Sequence, residues 1–287
     1  MFKIEEKRTL APDIVLMQVE APRIAEAAKP GQFVIVRADE AGERIPLTIA
    51  DYDPSRGTVT IVTQGIGYST RKINAFDEGD TLANVAGPLG RPSEFVETPM
   101  DELRKRRMLF VAGGLGIAPV YPQVKWLCEH GIAVDVIIGA KNRELLIMKE
   151  EIRAVAGNLY VATDDGSEGF KGLVTDLIRD VIDNRGRRYD EVVTIGPMIM
   201  MKFVAQTTKH YGIPTIASLN TLMVDGTGMC GACRVTVGGK TRFTCVDGPE
   251  FDAHQVDFDE AMRRQTMYRP QEEDAMHKCK IELKVES

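Results

Sequence analysis

The sequence predicts three parts in series: an antiparallel β-barrel, a doubly wound parallel α/β sheet, and a small cysteine-bearing loop domain. Three observations carry that prediction. Over the first hundred residues, short β-rich runs alternate with turn clusters. After DELRKRR (101–107), buried-type strands alternate with amphipathic helices. Finally, three of the five cysteines fall within VDGTGMCGACRVTVGGKTRFTC. The length of 287 residues fits two full domains, each able to bury its own core. The expected divisions are 1–99, 100–222, 223–250 and a C-terminal extension, 251–287.

The barrel strands are read at DIVLMQVEA, QFVIVRA, IPLTIADY and TVTIVTQ, with turns at KPGQ, DPSRG and DEGD. On the third run, Arg44, Pro46 and Thr48 share one face by the period of two. A cation, a flat apolar ring and a hydroxyl in a row suit a flavin, although an amphipathic barrel strand has the same pattern. The loop after the fourth run carries Gly67, Tyr68, Ser69 and Thr70, a glycine with three hydroxyls suited to phosphate. Ile61, Val62 and Thr63, on the strand leading into that loop, are expected to line the same pocket.

Five strands are expected in the second part: MLFVAG (108–113), VDVIIGA (134–140), LYVAT (159–163), EVVTIG (191–196) and PTIASL (214–219). Helical stripes lie between them: Val120, Val124, Leu127 and Cys128, closed by Gly131, and Leu173, Val174, Leu177, Ile178, Val181 and Ile182. The first strand runs into Gly113, Gly114 and Gly116, with Ala118 and Pro119 opening a helix. That layout can lay a pyrophosphate on backbone N–H groups, or it can be a tight turn without a ligand. Two more turns end parallel strands: Asp164-Asp165-Gly166, and Gly196-Pro197-Met198. Three such turns at one sheet edge form a crevice of the kind that binds nucleotides. The acidic pair, with no basic cluster expected beside it, tilts the choice to NAD(H) over NADP(H), unless either carboxylate only caps the next helix.

The third part supplies Asp225, Cys230, Cys233 and Cys245 in a D-x4-C-x2-C-x11-C run. Plant-type [2Fe–2S] proteins use C-x4-C-x2-C and a later cysteine, so the spacing matches with a carboxylate in first place. The same four residues suit a tetrahedral zinc, but zinc sites usually have two C-x2-C knuckles and this chain has one. An odd cysteine count argues against a disulfide framework. A nucleotide crevice and a one-electron centre in one chain need a converter, and flavin is the usual one.

Composition excludes other classes. A hydrophobic share of 44%, a charged share of 27% and a net charge of −6 describe an ordinary globular protein, not a nucleic-acid or anionic-membrane binder. The start, MFKIEEKRTLAP, has no apolar segment of the signal-peptide kind, so a cytoplasmic, reducing location is expected. Cys128 reads as a packed helix residue and Cys279 as a tail residue. His130, His210, His254 and His277 have no ligand spacing and read as structural or exposed.

With RIPLT, NVAGPLG, VAGGLGIAPVYP, DDGSEGFKG, the cysteine run and VDGPEFDAHQVDF in this order, the chain resembles the ferredoxin–NADP reductase superfamily. Within it, the chain is similar to the electron-transfer subunits of dihydroorotate dehydrogenase B and sulfide dehydrogenase, and to the small subunits of flavin-bifurcating NADH-dependent reduced ferredoxin:NADP oxidoreductases. The resemblance implies FAD on the barrel, NAD(H) in the crevice, a [2Fe–2S] cluster on Asp225, Cys230, Cys233 and Cys245, and a larger flavin/iron–sulfur partner subunit. Asp225 in place of a first cysteine is the bifurcating pattern. In register with the superfamily's R-x-Y-S flavin motif, Ile45 takes the arginine position, Leu47 the aromatic and Thr48 the serine, with Arg44 one place early. The superfamily's C-G-P is Ile195-Gly196-Pro197 here. No acid–base residue is expected, since the cofactors carry the chemistry. The extension 251–287 is expected to bind the partner without forming a clean helix. The rival expectations are an accessory subunit of dihydroorotate dehydrogenase B and a non-enzymatic flavin- or zinc-binding scaffold.

Overall fold

The computed structural model describes residues 1–272 and Asp274. His277 and Cys279 lie outside the described residues, as does most of the extension beyond residue 272. Seven strands form the barrel: β1 (Phe2–Ala11), β2 (Ile14–Glu20), β3 (Phe33–Arg37), β4 (Ile45–Asp53), β5 (Thr58–Gln64), β6 (Thr81–Leu82) and β7 (Asn84–Leu89). They pair antiparallel in the order β6-β1-β2-β5-β4-β3-β7. The outermost strands, β6 and β7, are separated in the chain by Ala83 alone, so the sheet curls until it nearly closes. Strand β1 adds to the four expected runs. Its Lys and Glu residues mask the pattern, and within FKIEEKRTLA only Ile4 and Ala11 are buried. Two short helices, α1 (Pro22–Ala27) and α2 (Tyr68–Asn74), lie in the connections.

After α3 (Met100–Leu103) comes the second sheet. Its strands are β8 (Met108–Gly113), β9 (Asp135–Ala140), β10 (Asn158–Thr163), β11 (Phe170–Lys171), β12 (Glu191–Ile195) and β13 (Thr215–Ser218). They run parallel in the order β11-β10-β9-β8-β12-β13, the doubly wound arrangement that was expected. The order reverses between β8 and β12, which makes their carboxyl ends the switch point. Both faces are covered, and this is why the strands read as continuous apolar runs. Phe110, Ala112, Val136 and Ile138 pack under α4 (Ile117–Glu129) and α5 (Lys149–Val155). Leu109, Val111, Ile137 and Val192 pack under α6 (Val174–Arg179) and α7 (Met198–His210).

The first of those cores also takes in Ile14, Leu16, Ala50, Val62 and Phe95, so barrel and sheet share one apolar interior. Lys125 on α4 reaches across to Asp51 on β4 at 2.8 and 3.0 Å. Two details depart from the expected stripes. Leu173 precedes α6 and is 56% exposed, and Cys128 stands on the exposed side of α4 instead of in the core.

The last part begins with a hairpin, β14 (Arg234–Val237) and β15 (Lys240–Phe243), followed by α8 (Thr244–Asp247). Strand β16 (Glu250–Asp252) then returns to pair antiparallel with β13. A helix, α9 (Phe258–Gln265), follows. This corrects the expectation that the extension forms no clean helix. Phe258, Ala261 and Met262 fall at i, i+3 and i+4, and the first two are buried against Met201, Ala205 and Val235. Ala261 was the anchor missing from the sequence pattern. Asp257 caps the helix by accepting from the Glu260 amide at 2.9 Å.

Candidate functional site

The spacing of the cysteine run follows from the hairpin. Cys233 immediately precedes β14 and Cys245 follows β15, so the eleven residues between them are two four-residue strands, a Gly238-Gly239 turn and Thr244. Both turn glycines have positive φ (57° and 73°), the conformation that two-residue hairpin loops favour. Pairing of Arg234 with Phe243 brings the two buried thiols to 3.2 Å, and Thr244 locks the closure by donating to the Cys233 carbonyl through both its amide and its hydroxyl. Burial, reinforced by the neighbouring Cys233 thiol, pushes the Cys245 thiol up to about 12.

Asp225 and Cys230 form the other half of the run. The Asp225 carboxylate accepts from the Thr227 amide at 2.9 Å and the Cys230 amide at 2.8 Å, and those bonds hold its pKa below the usual carboxylate value. Cys230 is exposed, and its sulfur lies 3.5 Å from the Ala232 amide. The four residues thus stand as two pairs. Among the described residues no three His, Cys, Asp or Glu side chains converge closely enough to hold a metal ion. The donor chemistry nevertheless fits an iron–sulfur centre. Two buried thiols already sit side by side, and a third thiol and a carboxylate lie on the exposed loop that faces them. Bound iron would deprotonate the thiols outright.

The buried pair packs on the barrel. Cys233 and Cys245 share a cluster with Phe33 and Ile35 of β3, and Ala86 and Leu89 of β7 pack against that cluster. In the β3–β4 register Phe33 lies opposite Thr48, and Ile35 opposite Pro46. Directly opposed residues share a face and lie roughly 5 Å apart. The outward row of β4 continues from Pro46 and Thr48 to Ala50, which already belongs to the interior shared with the α/β sheet. The candidate flavin row therefore runs to the junction of barrel and sheet, one strand away from the cysteines. Sequence reasoning missed Phe33 and Ile35; the continuous apolar run FVIV, the mark of a strand buried on both faces, was the available signal.

Not every expected flavin residue faces that junction. The side chains of Leu47 and Ile61 are in the barrel core and Val62 is in the shared interior. Thr63 is buried against Asn74. At Leu47 and Ile61 only main-chain groups remain for a ligand. Arg44 is exposed at the start of β4. On the loop, Gly67 precedes α2, Thr70 folds its hydroxyl back to the Gly67 amide at 3.1 Å, Ser69 donates to Glu43, and Tyr68 is exposed.

At the switch point, Gly113 ends β8, Gly114–Gly116 form one tight turn, and α4 begins at Ile117 with Ala118 and Pro119 buried in its first turn. A Cβ on Gly116 would lie 2.3 Å from the Ile195 carbonyl oxygen, and one on Gly196 would lie 2.7 Å from Met200 and 3.1 Å from the Gly113 oxygen. The ends of β8 and β12 approach backbone to backbone, with Pro197 and Met198 opening α7 beside them. Asp164, Asp165 and Gly166 end β10 and are exposed. Asp165 accepts from the Ser167 amide at 2.9 Å, so it does serve as a turn cap. No basic cluster is expected beside this turn, and one lysine side chain stands there. The Lys171 side chain lies against Gly166, and the backbones of Lys141 and Arg143 bond the same turn. The three described histidines have structural contacts: His130 bonds the Trp126 carbonyl and stacks on that ring, His254 bonds Thr208, and His210 packs against Tyr211.

A nearly closed barrel joined to a doubly wound sheet with a cysteine-bearing loop defines an oxidoreductase of the ferredoxin-reductase fold. Comparison with known proteins narrows this. Residues 110–206 match the oxidoreductase NAD-binding domain, and residues 220–257 match the iron–sulfur cluster binding domain of dihydroorotate dehydrogenase B. A protein of Thermotoga maritima, a homologue of the dihydroorotate dehydrogenase B (NAD(+)) electron transfer subunit, is 44% identical over 94% of this chain and 92% of its own length. An uncharacterized protein of the adh 3′ region of Clostridium beijerinckii is 60% identical over 95% and 92%. A chain of the NADH-dependent reduced ferredoxin-NADP oxidoreductase structure, a study of flavin-based electron bifurcation, is 42% identical with a TM-score of 0.88, covering 97% of both chains. The chain belongs to the family of dihydroorotate dehydrogenase B electron-transfer subunits and their homologues. Among the described residues no helix is long and apolar enough to cross a membrane.

Proposed function

We propose that this chain is a flavin and iron–sulfur electron-transfer subunit that exchanges hydride with NAD(H) and passes single electrons to a larger redox subunit, as in electron-bifurcating NADH-dependent ferredoxin:NADP oxidoreductase. The observation that carries the proposal is the shared barrel face. Thr48 and Pro46, the flavin row, lie opposite Phe33 and Ile35, on which Cys233 and Cys245 pack. FAD, when bound, supplies the exchange between two-electron and one-electron chemistry.

The chain's own residues do the positioning. Backbone N–H groups of the Gly113–Gly116 turn, at the start of α4, cradle the dinucleotide pyrophosphate. The Gly196-Pro197-Met198 turn closes the crevice on its other side, and the Asp164-Asp165-Gly166 turn receives the adenosine end. Thr48 offers a hydroxyl at the ring edge, while Gly67 to Thr70 and Arg44 serve the flavin phosphates. Asp225, Cys230, Cys233 and Cys245 hold the cluster.

The partner's surface in this reading surrounds the exposed ligand. Met229 is 89% exposed beside Cys230, and Val224 and Val246 rim the same loop. Isolated exposed apolar residues need no explanation, but three around one ligand mark a docking patch. A heterodimer in a reducing cytoplasm completes the reading, in keeping with the four described cysteines being free. Asp225 favours the bifurcating assembly. The names of the relatives keep the dihydroorotate dehydrogenase B accessory subunit as the second reading. Co-purification followed by mass spectrometry tests this: a larger flavin/iron–sulfur protein is expected. A colourless, zinc-containing protein without flavin would overturn the reading entirely.

A further inference from the structure

The last turn of α9 grips the cysteine loop at two points. Gln265 donates through Nε2 to the Asn220 carbonyl at 2.7 Å, just ahead of Asp225. Arg264 donates through Nη2 to the Ala232 carbonyl at 3.1 Å, between Cys230 and Cys233. The helix is itself fixed to the α/β domain by buried Phe258 and Ala261 and by the Lys202–Asp259 ion pair at 2.7 Å. The guanidinium is thus held in place, not merely nearby.

Its charge is poorly matched by the polypeptide. Among the described residues no carboxylate lies within ion-pairing distance of Arg264, and its Nε–H is buried with no acceptor. A half-buried cation with an orphaned donor is costly unless an anion is brought to it. The loop that it grips gains negative charge when it ligates metal, because three thiols become thiolates beside a carboxylate. The Ala232 carbonyl shares its peptide unit with the Cys233 amide. A charged hydrogen bond to that oxygen polarises the unit and makes the Cys233 N–H a stronger donor toward sulfur.

We propose that Arg264 is a positioning residue that sets the reduction potential of the cluster, by fixing the Ala232–Cys233 peptide and placing a permanent positive charge beside the metal centre. The inference rests on the iron–sulfur reading given above. The sign follows from charge. One-electron reduction adds a negative charge to the centre, so a neighbouring cation stabilises the reduced form more than the oxidised one and raises the potential.

The test uses the full-length protein with its cofactors bound, as Arg264→Gln, Arg264→Lys and Gln265→Ala. Iron and sulfide content, the midpoint potential from a redox titration, and the electron paramagnetic resonance spectrum of the reduced protein are measured for each. Arg264→Gln should keep its iron, titrate at a lower potential and show an altered spectrum. Arg264→Lys should recover most of the potential, because the charge remains, and Gln265→Ala should leave it unchanged. Equal potentials in Arg264→Gln and the parent protein overturn the proposal. So do equal shifts in the Lys and Gln variants, since the effect would not be one of charge, and so does loss of iron from both, which would make the residue purely structural. Failure of the underlying reading looks different: the parent protein itself would carry no iron or sulfide.

Discussion

The nucleotide crevice and the cysteine loop are both rich in glycine, and particular glycines in each are there for opposite reasons. In the crevice, Gly116 and Gly196 have ordinary backbone angles but no room, because the ends of β8 and β12 touch there. In the loop, Gly231 has room, with only Phe243 at 3.7 Å, but its φ is +66°. The crevice is shaped by packing and stands complete without its ligand. The loop is shaped by turns and leaves its ligands in two pairs, to be drawn together by what they bind. The two sites should therefore fail independently and by different amounts.

The largest expected effect is Cys233→Ser. It removes one of two thiols that already touch and should strip the cluster while leaving FAD and NADH binding intact, since the Cys233 thiol supplies no group to the crevice. Iron analysis beside flavin absorbance checks both halves. An intact cluster would sink the ligand assignment, and loss of flavin would sink the independence. Asp225→Cys, by contrast, should still assemble a cluster at a changed potential.

Next comes Gly116→Ala. Its Cβ would meet a carbonyl oxygen at 2.3 Å with no side chain able to yield, so β8 and β12 must part. A loss of about 3 kcal/mol or more and of most NADH affinity is expected. Gly231→Ala should cost about 1 kcal/mol, from its positive φ alone, and leave NADH binding untouched. Thermal melts with NADH titration compare the two, and equal destabilisation would refute the contrast between a packed site and a turned one.

Between the two regions lies a carboxylate that belongs to both. Glu250, on β16 just beyond the loop, is half-buried and accepts from Ser93 of the barrel connection at 2.8 Å and from Gln123 of α4 at 3.2 Å. Burial pushes its carboxyl up to about 7; Ser93 opposes this, and Glu191 (itself paired with Arg106) and Glu94 add repulsion. Between pH 4.5 and 7 the folded chain therefore holds a proton that the unfolded chain lacks. The stability that this carboxyl contributes should be fullest below pH 4.5 and fall by roughly 3 kcal/mol as pH rises to 7. Glu250→Gln should flatten that part of the profile. An identical slope in the variant would assign the pH dependence elsewhere.

What was legible in the sequence divides along the same line. The β8–turn–α4 unit could be read because both-face burial writes continuous apolar strands and close approach writes glycine. That Cys230, Cys233 and Cys245 share one loop and hairpin could be read because they lie close together in the chain. Whatever depends on a partner brought in from far along the chain could not. Glu250 looks like any surface glutamate until β16 pairs with β13. Arg264 sits on a helix whose smallest anchor, Ala261, leaves no clear periodicity. Leu47 faces inward because of the β4 register, which a motif alignment does not encode, and Lys171 meets Gly166 only through the short parallel pairing of β10 with β11.

That last contact makes nucleotide preference the smallest and most informative effect. Asp164 and Asp165 at the carboxyl end of β10 should repel a ribose 2′-phosphate, so NADH is expected to reduce the bound flavin faster than NADPH. The repulsion is not unopposed. Lys171 lies along Gly166, and both carboxylates are exposed, where salt screens them. Asp165 is also engaged by Ser167, which holds its pKa below the usual carboxylate value, so it stays charged as a cap throughout the neutral range. Changing both residues to Asn should therefore narrow the preference only a few-fold at low ionic strength, on the scale of a single exposed charge contact, and less in high salt. Lys171→Ala in the parent protein should widen it, because a cation whose stem lies against the same turn is gone. Stopped-flow bleaching with both nucleotides at two salt concentrations measures all three. A preference indifferent to these changes would move the discrimination from the β10 turn to the shape of the crevice between β8 and β12.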